Sequence, residues 1–267
     1  MKIVQRNALS CSLLIILLIC YGLSGCQSDK QKQRELYVFA AISLSDALTE
    51  IGAQFTKRQD IRVHYNFAAS TTLQRQIEKG ASTDVFISAS PIQVDALNSL
   101  GLLEDGSRTD VLTNRLVAVT QKNTEITVEN LKNIQDTPIK RIAMGHPEIV
   151  PAGSYAQEAL EHSGLWEKVK SKLIFGTNVR ATLAYLTSGN VDIAIVYETD
   201  TKVSNKVKVL YKFPNETHSR IVYPAVILKN SNNKDLAETF RTFLKEPIVT
   251  EIFEKHGFTC LSPTSAK

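Results

Sequence analysis

The chain lacks the motifs that most often announce catalysis. Its 267 residues contain no nucleophile elbow, no P-loop, no Gly-x-Gly-x-x-Gly turn and no His-Glu-x-x-His helix, so the common signatures of hydrolases, nucleotide-binding enzymes and zinc peptidases are missing. The five histidines (His64, His146, His162, His218 and His256) are scattered, and none has a second histidine or cysteine at metal-ligand spacing. His146 and Glu148 flank Pro147, but an exposed loop histidine accounts for that pair without a metal. Basic residues never gather with interleaved aromatics, which argues against nucleic acid as a partner. Internal repeats of solenoid length are absent. The apolar run Leu13 to Cys20 falls short of the roughly 20 residues a membrane-spanning helix needs. Cysteine is scarce: there are four, and Cys11 and Cys20 lie in the N-terminal apolar segment.

That segment ends informatively. Lys2 and Arg6 precede the apolar run, and Leu23-Ser24-Gly25 then lead to Cys26, the anatomy of a cleaved secretory signal. It resembles the lipobox of bacterial lipoproteins, which implies a signal peptide over residues 1–25, an acylated Cys26, and a protein exported and lipid-anchored at a bacterial membrane, on its periplasmic or cell-surface side. Loss of Lys2 and Arg6 takes the chain from its formal +4 towards neutrality. With Cys26 acylated only Cys260 stays free, so no intramolecular disulfide forms and the core must hold by burial. A chain of this length can do that as one large domain or two smaller ones. Residues 27–35 carry no apolar side chain and read, with Cys26, as a lipidated flexible tether. Gln27 rather than Asp follows Cys26, which in a Gram-negative cell resembles outer-membrane sorting.

Beyond the tether, short apolar runs alternate with amphipathic stretches. Leu36 to Ala41 reads as a strand and Ser43 to Arg58 as a helix, with Leu44, Ala47, Leu48, Ile51 and Phe55 at helical spacing. The pattern continues with strands at Ile61 to Asn66 and Asp84 to Ser88, and helices at Thr71 to Lys79 and Ile92 to Leu100. Further strands are expected at Arg141 to Met144, Leu173 to Phe175 and Val191 to Tyr197. Further helices are expected at Ser154 to His162, Val179 to Thr187, Asp235 to Leu244 and Ile248 to His256. Such alternation predicts an α/β fold of mostly parallel sheets flanked by helices. The apolar runs Leu116 to Val119 and Val222 to Leu228 are candidate crossings between two sheets. They give a discontinuous first lobe over 36–116 and 223–260, an inserted second lobe over 117–222, and a tail at 261–267. A single-domain α/β enzyme is the structural competitor.

Small and hydroxyl residues recur where strands hand over to helices: Ala40-Ala41-Ile42-Ser43 and Phe67-Ala68-Ala69-Ser70-Thr71. One such junction is an ordinary N-cap. Several together suggest more, because ligands of open parallel sheets sit beyond the carboxyl ends of the strands. A helix N-terminus offers unpaired amide hydrogens and a positive dipole end, and so attracts anions without a charged side chain. Pro151-Ala152-Gly153-Ser154 and Asn178-Val179-Arg180 supply two further junctions, although alone the first reads as a Pro/Gly turn into a helix.

Five segments in order, Phe39-Ala40-Ala41-Ile42-Ser43-Leu44, Phe67 to Leu73, Pro147 to Ala156, Asn178-Val179-Arg180 and Asp192 to Tyr197, resemble the molybdate-binding proteins of ABC uptake systems. The resemblance implies a two-lobed periplasmic-binding-protein fold of type II closing on a tetrahedral oxyanion in the cleft between lobes. It places Ser43 and Ser70 on the anion through hydroxyl and amide, Ala152 and Val179 through backbone amides of the other lobe, and Tyr197 through its phenol. These five would touch oxyanion oxygens and supply no direct metal ligand. Ile42, Ala69 and Thr71 depart from the small or hydroxyl residues and the serine common there; Ile42 adds bulk near the cleft. The same resemblance implies an ABC permease partner, a monomer, no cofactor and no catalysis.

Donors alone satisfy molybdate and tungstate, dianions without a proton at neutral pH, whereas phosphate keeps a proton and wants an acceptor. No carboxylate is among the five residues. Sulfate must be rejected by size. Arg180 is expected in a salt bridge or at the surface rather than on the anion. Two other functions stay open: a receptor for another oxyanion or small organic anion, and a secreted hydrolase using Ser43 or Ser70, which would need His64 or His218 within reach of the serine.

Overall fold

A computed structural model describes residues 34–128, 134 and 137–261. The expected signal peptide, the acylated Cys26, most of the tether and residues 262–267 lie outside the described residues.

Two sheets organise the chain. The first has the order β11-β4-β10-β3-β1-β2 and the second β7-β6-β8-β5-β9. Strand β1 (Arg34–Ala41) leads through a 3₁₀ turn at Ile42–Leu44 into α1 (Ser45–Gln59), then β2 (Ile61–Ala68), α2 (Ser70–Glu78), β3 (Val85–Ile87), α3 (Pro91–Ser99) and β4 (Thr109–Thr113). The second sheet takes β5 (Leu116–Gln121), β6 (Ile142–Gly145), α4 (Pro151–His162), α5 (Trp166–Val169), β7 (Leu173–Gly176), α6 (Val179–Thr187), β8 (Ile193–Tyr197) and β9 (Val207–Lys212). The chain then returns to the first sheet as β10 (Val222–Ile227), followed by α7 (Lys234–Phe243), α8 (Pro247–Lys255) and β11 (Thr259–Cys260).

Burial explains why these segments adopt these forms. All of β8 and β10 is buried, which is why each reads as a continuous apolar run, the pattern of a strand covered on both faces. Helix α1 buries one stripe, Ala47, Leu48, Ile51, Gly52 and Phe55. It ends where Asp60 turns left-handed at φ 52° and its N–H closes onto Thr56 O, a conformation that short polar side chains tolerate. On the buried face of α1, Phe55 meets Phe240 edge-on at 5.1 Å and Phe243 at 5.2 Å, joining α7, near the C-terminus, to the first helix of the fold.

The sheets are mixed rather than mostly parallel. Crossover helices make β1–β2, β1–β3, β6–β7 and β6–β8 parallel. The strands that carry the chain between sheets, and the last strand, pair antiparallel: β10 with β3 and β4, β11 with β4, and β5 with β8 and β9. No α-helix lies between β4 and β5, β8 and β9, or β9 and β10, and a parallel return usually needs one; β11 follows α8 and still runs antiparallel to β4. The chain changes sheet between Thr113 and Leu116 and again between Lys212 and Val222.

The two lobes wind alike. In the first, β1 lies between β2 and β3; in the second, β6 lies between β7 and β8. The reversal of winding direction falls beside the first strand of each set, where open sheets bind ligands.

Candidate functional site

The ends of five of these six strands, all but β3, carry the expected site residues. Ser43 follows β1 and Ser70 opens α2 after β2. Ala152 is in the first turn of α4 after β6, Val179 opens α6 after β7, and Tyr197 ends β8. All five are buried, between 0% and 4% exposed.

Their donors are uncommitted. The N–H groups of Ser43, Ser70, Ala152 and Val179 have no acceptor among the described residues, as expected at helix starts. Around them the caps are made elsewhere: Asn178 Oδ1 accepts from Ala181 N at 2.9 Å, and neither α2 nor α4 has a side-chain cap. Ser70 Oγ accepts from Ala89 N at 2.9 Å, which leaves its own hydrogen to donate. Ser43 Oγ lies 3.2 Å from Tyr223 Oη. The Tyr197 hydroxyl is buried without a hydrogen bond of normal geometry, beside the Tyr223 ring at 6.0 Å between centroids. Burial holds the Tyr197 and Tyr223 phenols well above their ordinary pKa, so both are neutral at physiological pH.

Glycine sets the entry of α4. A Cβ built on Gly153 would stand 2.1 Å from Gly145 O, so only glycine lets the first turn of this helix lie against the end of β6. That close approach fixes the direction of the Ala152 amide.

Charge around the site is balanced inside the protein. Arg180, one residue into α6, reaches Asp46 Oδ2 of α1 at 2.7 Å and Ser43 O at 3.4 Å, and its Nε lies 3.2 Å from Asp200 Oδ1. It therefore serves ion pairs, one of which ties the lobes together. Asp200 has no exposure and also accepts from Tyr197 N at 3.0 Å. Burial outweighs the attraction of Arg180 and the Tyr197 amide and lifts its pKa to about 7.

Several contributors are invisible in the local sequence. Tyr155 of α4 is buried, its hydroxyl makes no hydrogen bond of normal geometry, and burial pushes its pKa to about 12 despite the nearby Ser90 hydroxyl. Ser90 caps α3 by accepting from Ile92 N at 3.3 Å; the run Ser88-Ala89-Ser90-Pro91 after a strand was the available signal. Asn114 donates from Nδ2 to Tyr223 Oη at 3.2 Å and to Thr199 Oγ1 at 2.9 Å. Neither serine is hydrogen-bonded to an imidazole: His64 pairs with Glu35 at 3.5 Å, and His218 lies beside Tyr155, its ring 5.8 Å away, with Nδ1 on Ser219 O.

Paired helix N-termini facing each other from two similarly wound lobes define a solute-binding protein, and comparison with known proteins agrees. The chain belongs to the family of bacterial extracellular solute-binding proteins, which it matches over residues 36–259, a family of transport proteins rather than enzymes. It is 37% identical over 258 residues to a Bacillus subtilis (strain 168) protein named "Putative ABC transporter substrate-binding lipoprotein YvgL", covering 96% of this chain and 98% of the relative. The molybdate-binding protein ModA of Escherichia coli (strain K12) is 37% identical over 229 residues, covering 84% and 89%. In structure, the chain resembles the Azotobacter vinelandii periplasmic molybdate-binding protein with a TM-score of 0.75, at 24% identity and covering 85% and 100%, which shows the fold.

Proposed function

We propose that the protein is the substrate-binding lipoprotein of a molybdate or tungstate ABC importer. It captures the tetrahedral dianion between its lobes and presents it to a membrane permease. Ser43, Ser70, Ala152, Val179 and Tyr197 hold the anion, Cys26 anchors the mature monomer by lipid, and no cofactor or catalytic step takes part. The observation that carries this reading is the buried Tyr197 hydroxyl, which makes no hydrogen bond of normal geometry, set among helix-start amides that lack acceptors. The amides can only donate, and Ser70 Oγ, already accepting from Ala89 N, has its hydrogen to offer. The buried carboxylate beside it, Asp200, takes the Tyr197 N–H and faces Arg180 inside the protein. The names borne by the relatives point the same way.

Isothermal titration with molybdate, tungstate, sulfate and phosphate tests the reading. Tight one-to-one binding of the first two is expected, and silence with all four would remove the ligand assignment. Replacing Ser43 and Ser70 together with alanine removes two hydroxyl donors to a charged group, each worth about 1.5–3 kcal/mol. The double variant should therefore bind at least about a hundredfold more weakly; it should still fold, but unfold at a lower temperature in the absence of anion, because Ala89 N and the Tyr223 hydroxyl lose their partners. Unaltered affinity would displace the site.

A further inference from the structure

We propose that Asn114 and Tyr223 are positioning residues that make Ser43 an obligate hydrogen-bond donor, and thereby exclude tetrahedral anions that carry a proton. The inference rests on the oxyanion reading above and adds the device that sets its selectivity.

The hydrogen bonds run in one sense only. A backbone N–H can do nothing but donate, and Arg115 N donates to Asn114 Oδ1 at 2.9 Å. That contact fixes which end of the Asn114 amide is oxygen. Its Nδ2 therefore faces the other way, and its two hydrogens go to Thr199 Oγ1 at 2.9 Å and Tyr223 Oη at 3.2 Å. Tyr223 Oη is thus an acceptor from Asn114 and has one hydrogen left to place.

Tyr223 has no exposure, so water cannot take that hydrogen, and a buried donor left unpaired is costly. The neighbouring Tyr197 hydroxyl is engaged in no bond of normal geometry. Ser43 Oγ, 3.2 Å away, is the acceptor that remains. Once Ser43 Oγ accepts from Tyr223, its own hydrogen is free to point at a ligand. The sequence Arg115 N–H, Asn114, Tyr223, Ser43 is a relay whose last member presents a hydrogen. Ser70 is set the same way by a single step, from Ala89 N.

The consequence is a filter on protonation state that needs no charged side chain. An anion whose oxygens all accept satisfies both serines, whereas one bearing a hydrogen meets a second hydrogen at either serine. Asn114 and Tyr223 touch no ligand in this scheme and act through Ser43. They lie where the two lobes join, Asn114 between β4 and β5 and Tyr223 in β10, so the same bonds also brace the connection between lobes.

A double-mutant cycle read by titration with molybdate separates the relay from a bracing role. Tyr223→Phe should weaken molybdate binding by about threefold to tenfold, the worth of one lost hydrogen bond. In the Ser43→Ala background the same change should add almost nothing, because the relay acts through that hydroxyl. Losses that simply add would overturn the relay and leave Tyr223 a bracing residue. Asn114→Asp offers Tyr223 only acceptors and so reverses the sense. Its added charge weakens every dianion alike, but the ratio of molybdate to hydrogen arsenate affinity at pH 8 should fall. A ratio equal to wild type in a variant that unfolds as wild type does would also overturn the relay. If the wild-type protein takes up no molybdate, the ligand reading fails and the relay with it; uptake with additive losses defeats the relay alone.

Discussion

Asp200 keeps a carboxylate wholly out of water beside Tyr197, with Arg180 as its counterion. Its pKa stands near 7 in the folded protein against an ordinary value of 3.8. Between those two values the folded chain holds a proton that the unfolded chain has released, so this group's contribution to stability is complete below pH 3.8 and lost as pH rises through 7. Asn at this position can still accept from Tyr197 N but cannot titrate. The stability of wild type relative to Asp200→Asn should therefore be smaller at pH 8 than at pH 5, measured by urea unfolding. A pH-independent difference would contradict the raised pKa. Glu50 and Glu238, lowered by Lys255 and Arg241 respectively, act with the opposite sign in both proteins and cancel in the comparison.

At the scale of elements, the aim of the site depends on how α4 starts. Gly153→Ala would force a methyl group against the Gly145 carbonyl, and backbone cannot yield as the tip of a side chain can. A loss of about 1–3 kcal/mol is expected from such overpacking, seen as a lower urea midpoint. Anion binding should weaken with it, because the Ala152 amide moves with the turn. The same helix shows what could be read in advance. Proline at 151 with small residues after it reads as a turn into a helix from Ser154, but proline suits the first helical position, and α4 begins there. Strand-to-helix alternation was legible because β1, β6, β8 and β10 are apolar runs under helices. Strands β4 and β9 are not legible in the sequence, since β4 has only Val111 and Leu112 between polar residues and β9 mixes lysines with apolar residues and leaves Val209 exposed. Ser43, Ser70 and Val179 were visible as local junctions. Asn114, Tyr155 and Tyr223 were not, because each matters only through partners far away in sequence.

For the molecule as a whole, closure is held by contacts that cross between lobes. Asp46 of α1 is half exposed where it meets Arg180 of α6, so screening limits the pair to about 0.2–1 kcal/mol. Asp46→Ala removes this tie without leaving Asp200 unpaired. Dissociation of the bound anion, followed by stopped flow, should accelerate up to about fivefold, and the gap should close at high salt. Equal rates at low salt would show that the tie does not hold the closed form.

The register of β4 and β10 has a different kind of consequence. Thr113 pairs with Val222, so everything between them leaves and rejoins the first sheet at one point. The second sheet, drawn from 116–212, is contiguous, whereas the first needs β10 and β11 from the far end of the chain. Contacts between distant segments are slow to form because a long loop must close first. A chain threaded out of the cell from its N-terminus therefore completes its inserted lobe while β3 and β4 still wait for β10, the strand that lies between them. The first strands to emerge are among the last to be locked, and the binding cleft comes into being only when the C-terminal residues arrive.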